Sequence, residues 1–301
     1  MGIIEEINQL KASRNAIILA HNYTLPEIQD IADFTGDSLE LSRKAAECKA
    51  PVIVFCGVSF MAETAKILSP ESIVLNPVPD AGCEMADMVN AAQIQEYRKA
   101  NPGTTVVAYV NTTADTKTAV DVCCTSGNAE KLIGTLPKDG KVLFVPDANL
   151  GANINGRLGR SMNLWKGCCP IHDRITVADI EAARKAHPAA LVMVHPECRP
   201  EVVAAADAAL STGAMLKYVR EQDSEEFIVG TESGIIHRLA KENPTKRFHA
   251  LSPEPVCQNM KKIKLVNVLE ALKNLAPRVE LDAETISAAR RPIDRMLEVL
   301  P

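Results

Sequence analysis

Aromatic residues make up only 4% of this 301-residue chain, with a single tryptophan, so its cores must rest on aliphatic side chains. Basic residues are not in excess. The 33 lysines and arginines stand against 38 aspartates and glutamates, a net charge of -5, which excludes a protein that coats nucleic acid by neutralising phosphates. Small anionic ligands remain compatible, because a local field need not follow the net charge. No apolar run approaches the roughly 20 residues that a bilayer crossing requires. The N-terminal Met1-Gly-Ile-Ile-Glu-Glu-Ile carries acid where a secretion signal needs base, so it reads as a first helix. The expectations are a cytoplasmic protein with neither a membrane nor a nucleic-acid partner. Also missing are any C-x-x-C pair and any H-E-x-x-H motif.

What is present is repetition. Hydrophobic residues at 47% over this length support substantial cores and two or three domains. The segment from Pro26-Glu to Ser38 aligns with Pro200-Glu to Thr212, and a middle copy fits between them. Asp33, Asp121 and Asp207 are 88 and 86 residues apart, as are Ser38, Ser126 and Thr212. Apolar strands are expected at 16–20, 106–110 and 191–194, ending on His21, Asn111 and His195. Second strands fall at 52–55, 142–145 and 227–229, and weaker third strands near Ile73, Met162 and Phe248. Helical periodicity fills the gaps, with one helix repeated at 93–102 and 179–188 and, more loosely, at 267–277. Strands alternating with helices of this length argue for right-handed βαβ units and parallel sheets covered on both faces. The expected fold is therefore α/β, as three related three-layer units over residues 1–86, 87–172 and 173–259. Helices at 260–301 should pack back on the first unit. Ligands of such sheets gather at the carboxyl ends of the strands, so three units could aim those ends at one centre.

The cysteines join the same register. After each third strand comes a loop with cysteine: Asp80-Ala-Gly-Cys83, Gly167-Cys168-Cys169-Pro-Ile-His172 and Glu254-Pro-Val-Cys257-Gln-Asn-Met260. Cys83, Cys169 and Cys257 are 86 and 88 residues apart. One thiolate from each unit suits a [4Fe-4S] cluster with one iron left open, although cysteine is also a zinc ligand. Any one of these cysteines alone reads as a small buried hydrophobe; the shared register is what favours the ligand reading. Cys48, Cys56, Cys123, Cys124 and Cys198 lack that register and read as packing residues. The repeat arithmetic does not separate Cys168 from Cys169.

Taken together, Leu19-Ala-His21-Asn-Tyr23, Gly36-Asp-Ser38, Phe60-Met-Ala-Glu63, Tyr109-Val-Asn111, Thr125-Ser126, Cys169-Pro-Ile-His172, His195-Pro-Glu-Cys198, Ser211-Thr212-Gly213 and Cys257-Gln-Asn-Met260 resemble the quinolinate synthase family over essentially the whole chain. The resemblance implies three Rossmann-like domains around a central [4Fe-4S] cluster. It also implies an enzyme of NAD biosynthesis: iminoaspartate condenses with dihydroxyacetone phosphate, losing phosphate and two waters to give quinolinate. Carried over by position, it puts the metal ligands on Cys83, Cys169 and Cys257. Substrate contacts fall on His21, Ser38, Tyr109, Val110, Asn111, Ser126, His195, Pro196, Glu197 and Thr212. A functional link to the enzyme that makes iminoaspartate follows. Some longer members carry a further cysteine-rich motif near the C-terminus; this chain has only Cys257 there.

Such substrates are densely anionic, and hydroxyls and N–H groups at helix starts can receive them without burying many lysines. The plain alternative is that Ser38, Ser126 and Thr212 only cap their own helices. Dehydration needs a polarised leaving hydroxyl and groups that move protons; His21, Tyr23, Tyr109 and Glu197 are the catalytic candidates. Glu197 is expected to shuttle protons and Tyr23 to work beside the cluster, with His21, Tyr109 and Asn111 holding carboxylates. His172 reads as a partner behind Cys169 rather than a zinc ligand, and His187, His237 and His249 as structural. Two rival functions, a non-catalytic iron-sulfur sensor and a zinc hydrolase using Cys169, His172 and Cys257, lack an output module and a zinc-hydrolase motif respectively.

Overall fold

The computed structural model describes residues 2–251 and 255–299. Glu254, which belongs to the third cysteine loop, lies outside the described residues, as do Met1 of the expected first helix and Leu300 and Pro301 of the C-terminal segment.

Three four-stranded sheets repeat one topology. The first contains β1 (Ala16–His21), β2 (Phe34–Gly36), β3 (Val52–Cys56) and β4 (Ile73–Leu75) in the order β2-β1-β3-β4. The second contains β5 (Thr105–Tyr109), β6 (Val122–Cys124), β7 (Val142–Val145) and β8 (Asn163–Leu164) in the order β6-β5-β7-β8. The third contains β9 (Leu191–Val194), β10 (Ala208–Ala209), β11 (Glu226–Gly230) and β12 (Arg247–Ala250) in the order β10-β9-β11-β12. Every pairing is parallel. Helices cover both faces, which is why β3 and β7 are buried at every residue and read as unbroken apolar runs. The chain is thus three Rossmann-like α/β/α units.

The edge strands β2, β6 and β10 are absent from the sequence reading, because two or three residues carry no period. The repeated aspartates stand directly before them, and here their purpose is visible. The carboxylates of Asp33, Asp121 and Asp207 accept the N–H of Ile18, Val106 and Val192 at 2.8, 2.7 and 2.7 Å. Their own N–H groups return to the carbonyls of the same three residues. Lys11, Arg98 and Arg184, each from the helix that opens its unit, reach the three carboxylates at 2.8, 2.6 and 3.0 Å. A half-exposed ion pair contributes at most about 1 kcal/mol, whereas a hydrogen bond to a charged group is worth about 1.5–3 kcal/mol. The aspartates therefore act mainly by stitching the edge of each sheet, and their shared register is structural.

Opening helices at Ile3–Ser13, Ala91–Ala100 and Val177–Ala186 start 88 and 86 residues apart. The helix Leu265–Asn274 starts 88 residues after the third, a fourth copy of the opening helix without a sheet of its own. Its Val268, Leu269 and Leu272 share a core with Ile7 of the first. The last helix, Ala283–Leu297, differs from the expectation that the C-terminal segment lies on the first unit. Its Ala289, Ile293 and Met296, spaced four and three apart, form one apolar stripe buried with Val122 and Cys124 of β6. Asn128 donates to the Met296 carbonyl at 3.0 Å, and Arg290 reaches back to the Leu68 carbonyl, also at 3.0 Å, so this helix spans the first two units. Among the described residues no helix is long and apolar enough to cross a membrane.

Candidate active site

The carboxyl ends of the three sheets meet at one cavity of about 660 Å³. Each unit contributes to its wall in the same order: strand end, helix start, cysteine loop. His21, Asn111 and His195 come from the ends of β1, β5 and β9; Ser38, Ser126 and Thr212 from helix starts; Cys83, Cys169 and Cys257 from the loops. Tyr23, Tyr109 and Glu197 line it as well. Of the sequence-based candidates, Val110 and Pro196 are not among the lining residues. Their carbonyls instead accept Lys117 Nζ at 2.8 Å and Asn153 Nδ2 at 2.9 Å.

The hydroxyls at the helix starts are not spent on capping. Asp37 caps the helix Ser38–Glu47 through Leu39 N and Glu40 N, and Ser211 caps Thr212–Glu221 through Ala214 N. Asn128 precedes the helix Ala129–Gly134, with its Oδ1 accepting from Thr125. Ser38, Ser126 and Thr212 sit one residue past the cap or in the turn before it, so their hydroxyls face the cavity. Among the described residues only Thr212 of the three has a side-chain partner, accepting Asn22 Nδ2 at 3.0 Å. The Asn111 Oδ1 is buried without any partner among the described residues, an unsatisfied polar atom at the cavity wall.

The three cysteines share a local device. Cys169 and Cys257 are the N-cap residues of the short helices Pro170–Asp173 and Gln258–Lys261, and Cys83 precedes the turn at 84–88. Nearby backbone N–H groups, of Met85 and Ala86, of His172, and of Asn259 and Met260, act to lower the pKa of the three thiols, although neither Cys169 nor Cys257 accepts a cap hydrogen bond on its sulfur. Burial nonetheless dominates: it pushes the Cys83 thiol up to about 12 and the other two above their ordinary value. A bound cation is what would turn such thiols into thiolates. The three sulfurs do not all lie within 4.8 Å of one another. A single tetrahedral ion with bonds of about 2.3 Å holds its sulfurs under about 4 Å apart, so the three as placed do not converge on one zinc. Cys168 is partly buried and does not line the cavity.

A hydrogen-bonded chain crosses the cavity floor. Tyr23 Oη lies 2.6 Å from Thr231 Oγ1, which lies 2.8 Å from His172 Nε2. His172 Nδ1 is 2.7 Å from Glu197 Oε2 and 3.2 Å from Cys169 Sγ, and the Tyr109 hydroxyl donates to Glu197 Oε1 at 2.5 Å. Burial works to raise the Glu197 pKa, but His172, His195 and the Tyr109 hydroxyl outweigh it and hold the carboxyl well below its usual range. Burial, aided by the nearby Glu197 charge, keeps both tyrosines protonated far above their ordinary value. Thr231, and Lys117 buried beneath the Asn111 turn, escaped the sequence reading. Neither occupies a repeated position or belongs to a motif.

Burial also depresses His21 and His195, each to about 3. Unfolded imidazoles take up protons near 6.5, so between about 6.5 and 3 the unfolded chain binds more protons and stability falls as pH falls. Each histidine contributes up to about 1.4 kcal/mol per pH unit across that window. The metal-free protein should therefore unfold at a lower urea concentration at pH 5 than at pH 7. An unchanged midpoint would mean that these imidazoles are not held neutral.

The remaining histidines lie elsewhere. His237 pairs with Asp30 at 3.0 Å. His187, Glu226 and His249 bring three donor atoms within 4.8 Å, but the two imidazoles stack 3.5 Å apart with their planes only 18° from parallel. In-plane lone pairs of stacked rings run side by side instead of converging on one ion, and Arg247 lies 3.4 Å from the other carboxylate oxygen.

A sequence profile described as Quinolinate synthetase A protein matches residues 5–298. The chain belongs to that family. A quinolinate synthase from Dehalococcoides mccartyi (strain CBDB1) is 53% identical over 298 residues, covering 99% of this chain and 98% of that one. Another, from Methanoregula boonei, is 53% identical over 293 residues, 97% of each. A third, from Alkaliphilus metalliredigens, is 47% identical over 299 residues, 99% of this chain and 98% of its own. Family membership thus extends over all three units and the C-terminal helices.

Proposed function

We propose that this enzyme is a quinolinate synthase that condenses iminoaspartate with dihydroxyacetone phosphate, releasing phosphate and two waters. In this reading Cys83, Cys169 and Cys257 hold a [4Fe-4S] cluster with one iron open. The observation that carries it is one cysteine from each unit, at one loop position, on the wall of one cavity. When bound, the cluster supplies a Lewis acid for a leaving hydroxyl.

The chain's own residues do the rest. The free hydroxyls of Ser38 and Ser126, with Thr212, receive the carboxylates at helix starts, where N–H groups favour anions. His21 and His195, neutral at pH 7, donate or accept hydrogen bonds without adding charge. The unsatisfied Asn111 Oδ1 accepts an N–H from the substrate, and rotating the amide presents its NH2 to a carboxylate instead. Glu197, ionised in the free enzyme, is the base, and the Tyr23 hydroxyl is the acid at the far end of the chain through Thr231 and His172. Unit boundaries near residues 86, 172 and 259 belong to the same proposal, as does a functional link to the enzyme supplying iminoaspartate. A cytoplasmic location goes with it, because nine free thiols suit a reducing compartment.

One observation favours a single-ion reading: Cys169, His172 and Glu197 bring sulfur, nitrogen and oxygen within 4.8 Å. Against it, His172 and Glu197 already bind each other, and Cys83 and Cys257 would stand idle. The deciding experiment is anaerobic purification with metal analysis, followed by assay of quinolinate from the two substrates. About four irons per chain with turnover is expected. A colourless zinc protein, or a loaded protein that makes no quinolinate, would overturn the assignment.

A further inference from the structure

Glu232 lies two residues beyond β11 and is fully buried. Its Oε1 accepts the Cys257 N–H at 3.1 Å and Lys261 Nζ at 2.8 Å, and its Oε2 accepts the Gly234 N–H at 2.8 Å. Lys261 closes the short helix that Cys257 caps, and its ammonium also donates to the Tyr23 carbonyl at 2.7 Å. One ammonium therefore joins the third unit's sheet end and cysteine loop to the first unit's Tyr23 turn. The junction is closed to any larger side chain. A Cβ on Gly234 would stand 2.7 Å from Lys261 Nζ, 2.8 Å from Glu232 Oε2 and 2.9 Å from the Tyr23 carbonyl carbon. The second unit carries a buried acid at the corresponding place, Asp147, two residues beyond β7 and bridged to Gly167 ahead of Cys169.

Burying an ion pair costs desolvation that its attraction often fails to recover, so a pair retained here is poorly explained by stability. We propose that Glu232 and Lys261 are a positioning pair that locks the Cys257 thiol, and Tyr23 with it, into the geometry a cluster needs. The inference rests on the ligand assignment made above. Glu232 also lines the cavity, but its carboxylate is taken up by the Cys257 and Gly234 N–H groups and Lys261, so the pair acts through Cys257 and the Tyr23 backbone.

The test uses the full chain as E232Q/K261M, which keeps both shapes and leaves no unpaired charge. After anaerobic loading, iron release to a chelator and the electron paramagnetic resonance spectrum of the reduced cluster are compared with wild type, alongside the melting temperature of the unloaded proteins. Expected are iron release about 10–100-fold faster, as when an outer partner of a metal ligand is lost, an altered spectrum, and unloaded melting close to wild type. Gly234→Ala, which wedges the same junction, should move in the same direction, and Lys241→Met, in the exposed pair with Asp30, should not. A double variant that keeps iron as well as wild type overturns the positioning role and leaves the cysteine assignment intact. Iron loss that only follows a lowered unloaded melting temperature also overturns it. A wild type that takes up no four-iron cluster overturns both.

Discussion

Replacing any one of Cys83, Cys169 or Cys257 by alanine is expected to leave a folded protein that retains no stable cluster and makes no measurable quinolinate. Cys168→Ala should keep both. Losing an outer hydrogen-bond partner costs a metal site about 10–100-fold, and losing one of three direct ligands must exceed that. The fold should survive, because each sheet is stitched by its own aspartate and the cysteines lie in loops beyond the strand ends. Circular dichroism establishes the folding, and iron content with visible absorption establishes the cluster. If Cys169→Ala kept its iron while Cys168→Ala lost it, the ligand set would have to be redrawn around the neighbouring residue.

Glu197→Gln is expected to lower kcat by about 10² to 10⁴ with the cluster and fold intact, the range a lost general base typically costs. The structure sharpens why. Tyr109 and His172 both hold the carboxylate in its ionised form, at 2.5 and 2.7 Å, which makes it a base ready in the free enzyme. Glutamine fills the same space and still accepts one of these bonds, while the tyrosine oxygen or an unprotonated imidazole nitrogen can receive its NH2. It cannot take up a proton. The loss should appear in kcat more than in KM, measured with substrate saturating and iron content matched to wild type. Near-normal turnover, or a loss proportional to missing iron, would assign Glu197 to holding His172 instead.

Much of this was readable from residue spacing. Asp33, Asp121 and Asp207 marked the triplication because every unit needs the same stitch between its first strand and its edge. Cys83, Cys169 and Cys257 kept register because each lies in the loop that follows the last strand of its unit, the same topological position three times. The apolar runs of β3 and β7 were legible because burial on both faces leaves no polar residue to interrupt them. Short edge strands were not, since two or three residues have no period, and the last helix's contact with the second unit, beside the one with the first, was not, because a sequence stripe shows that a face is apolar without naming its partner.

The sequence by itself determined the repeat, the strand ends and which residue types stand there, since local propensity and periodicity act over a few residues at a time. Only the tertiary structure decided which ends meet. Tyr23, Thr231, His172, Glu197 and Tyr109 come from all three units and form one hydrogen-bonded chain. No spacing announces it, because its links, between residues 25 to 208 apart, are set by how closed cores pack against one another. For the same reason the capping of Ser38's helix by Asp37, which frees the serine hydroxyl for the cavity, became visible only once the neighbouring side chains were in place.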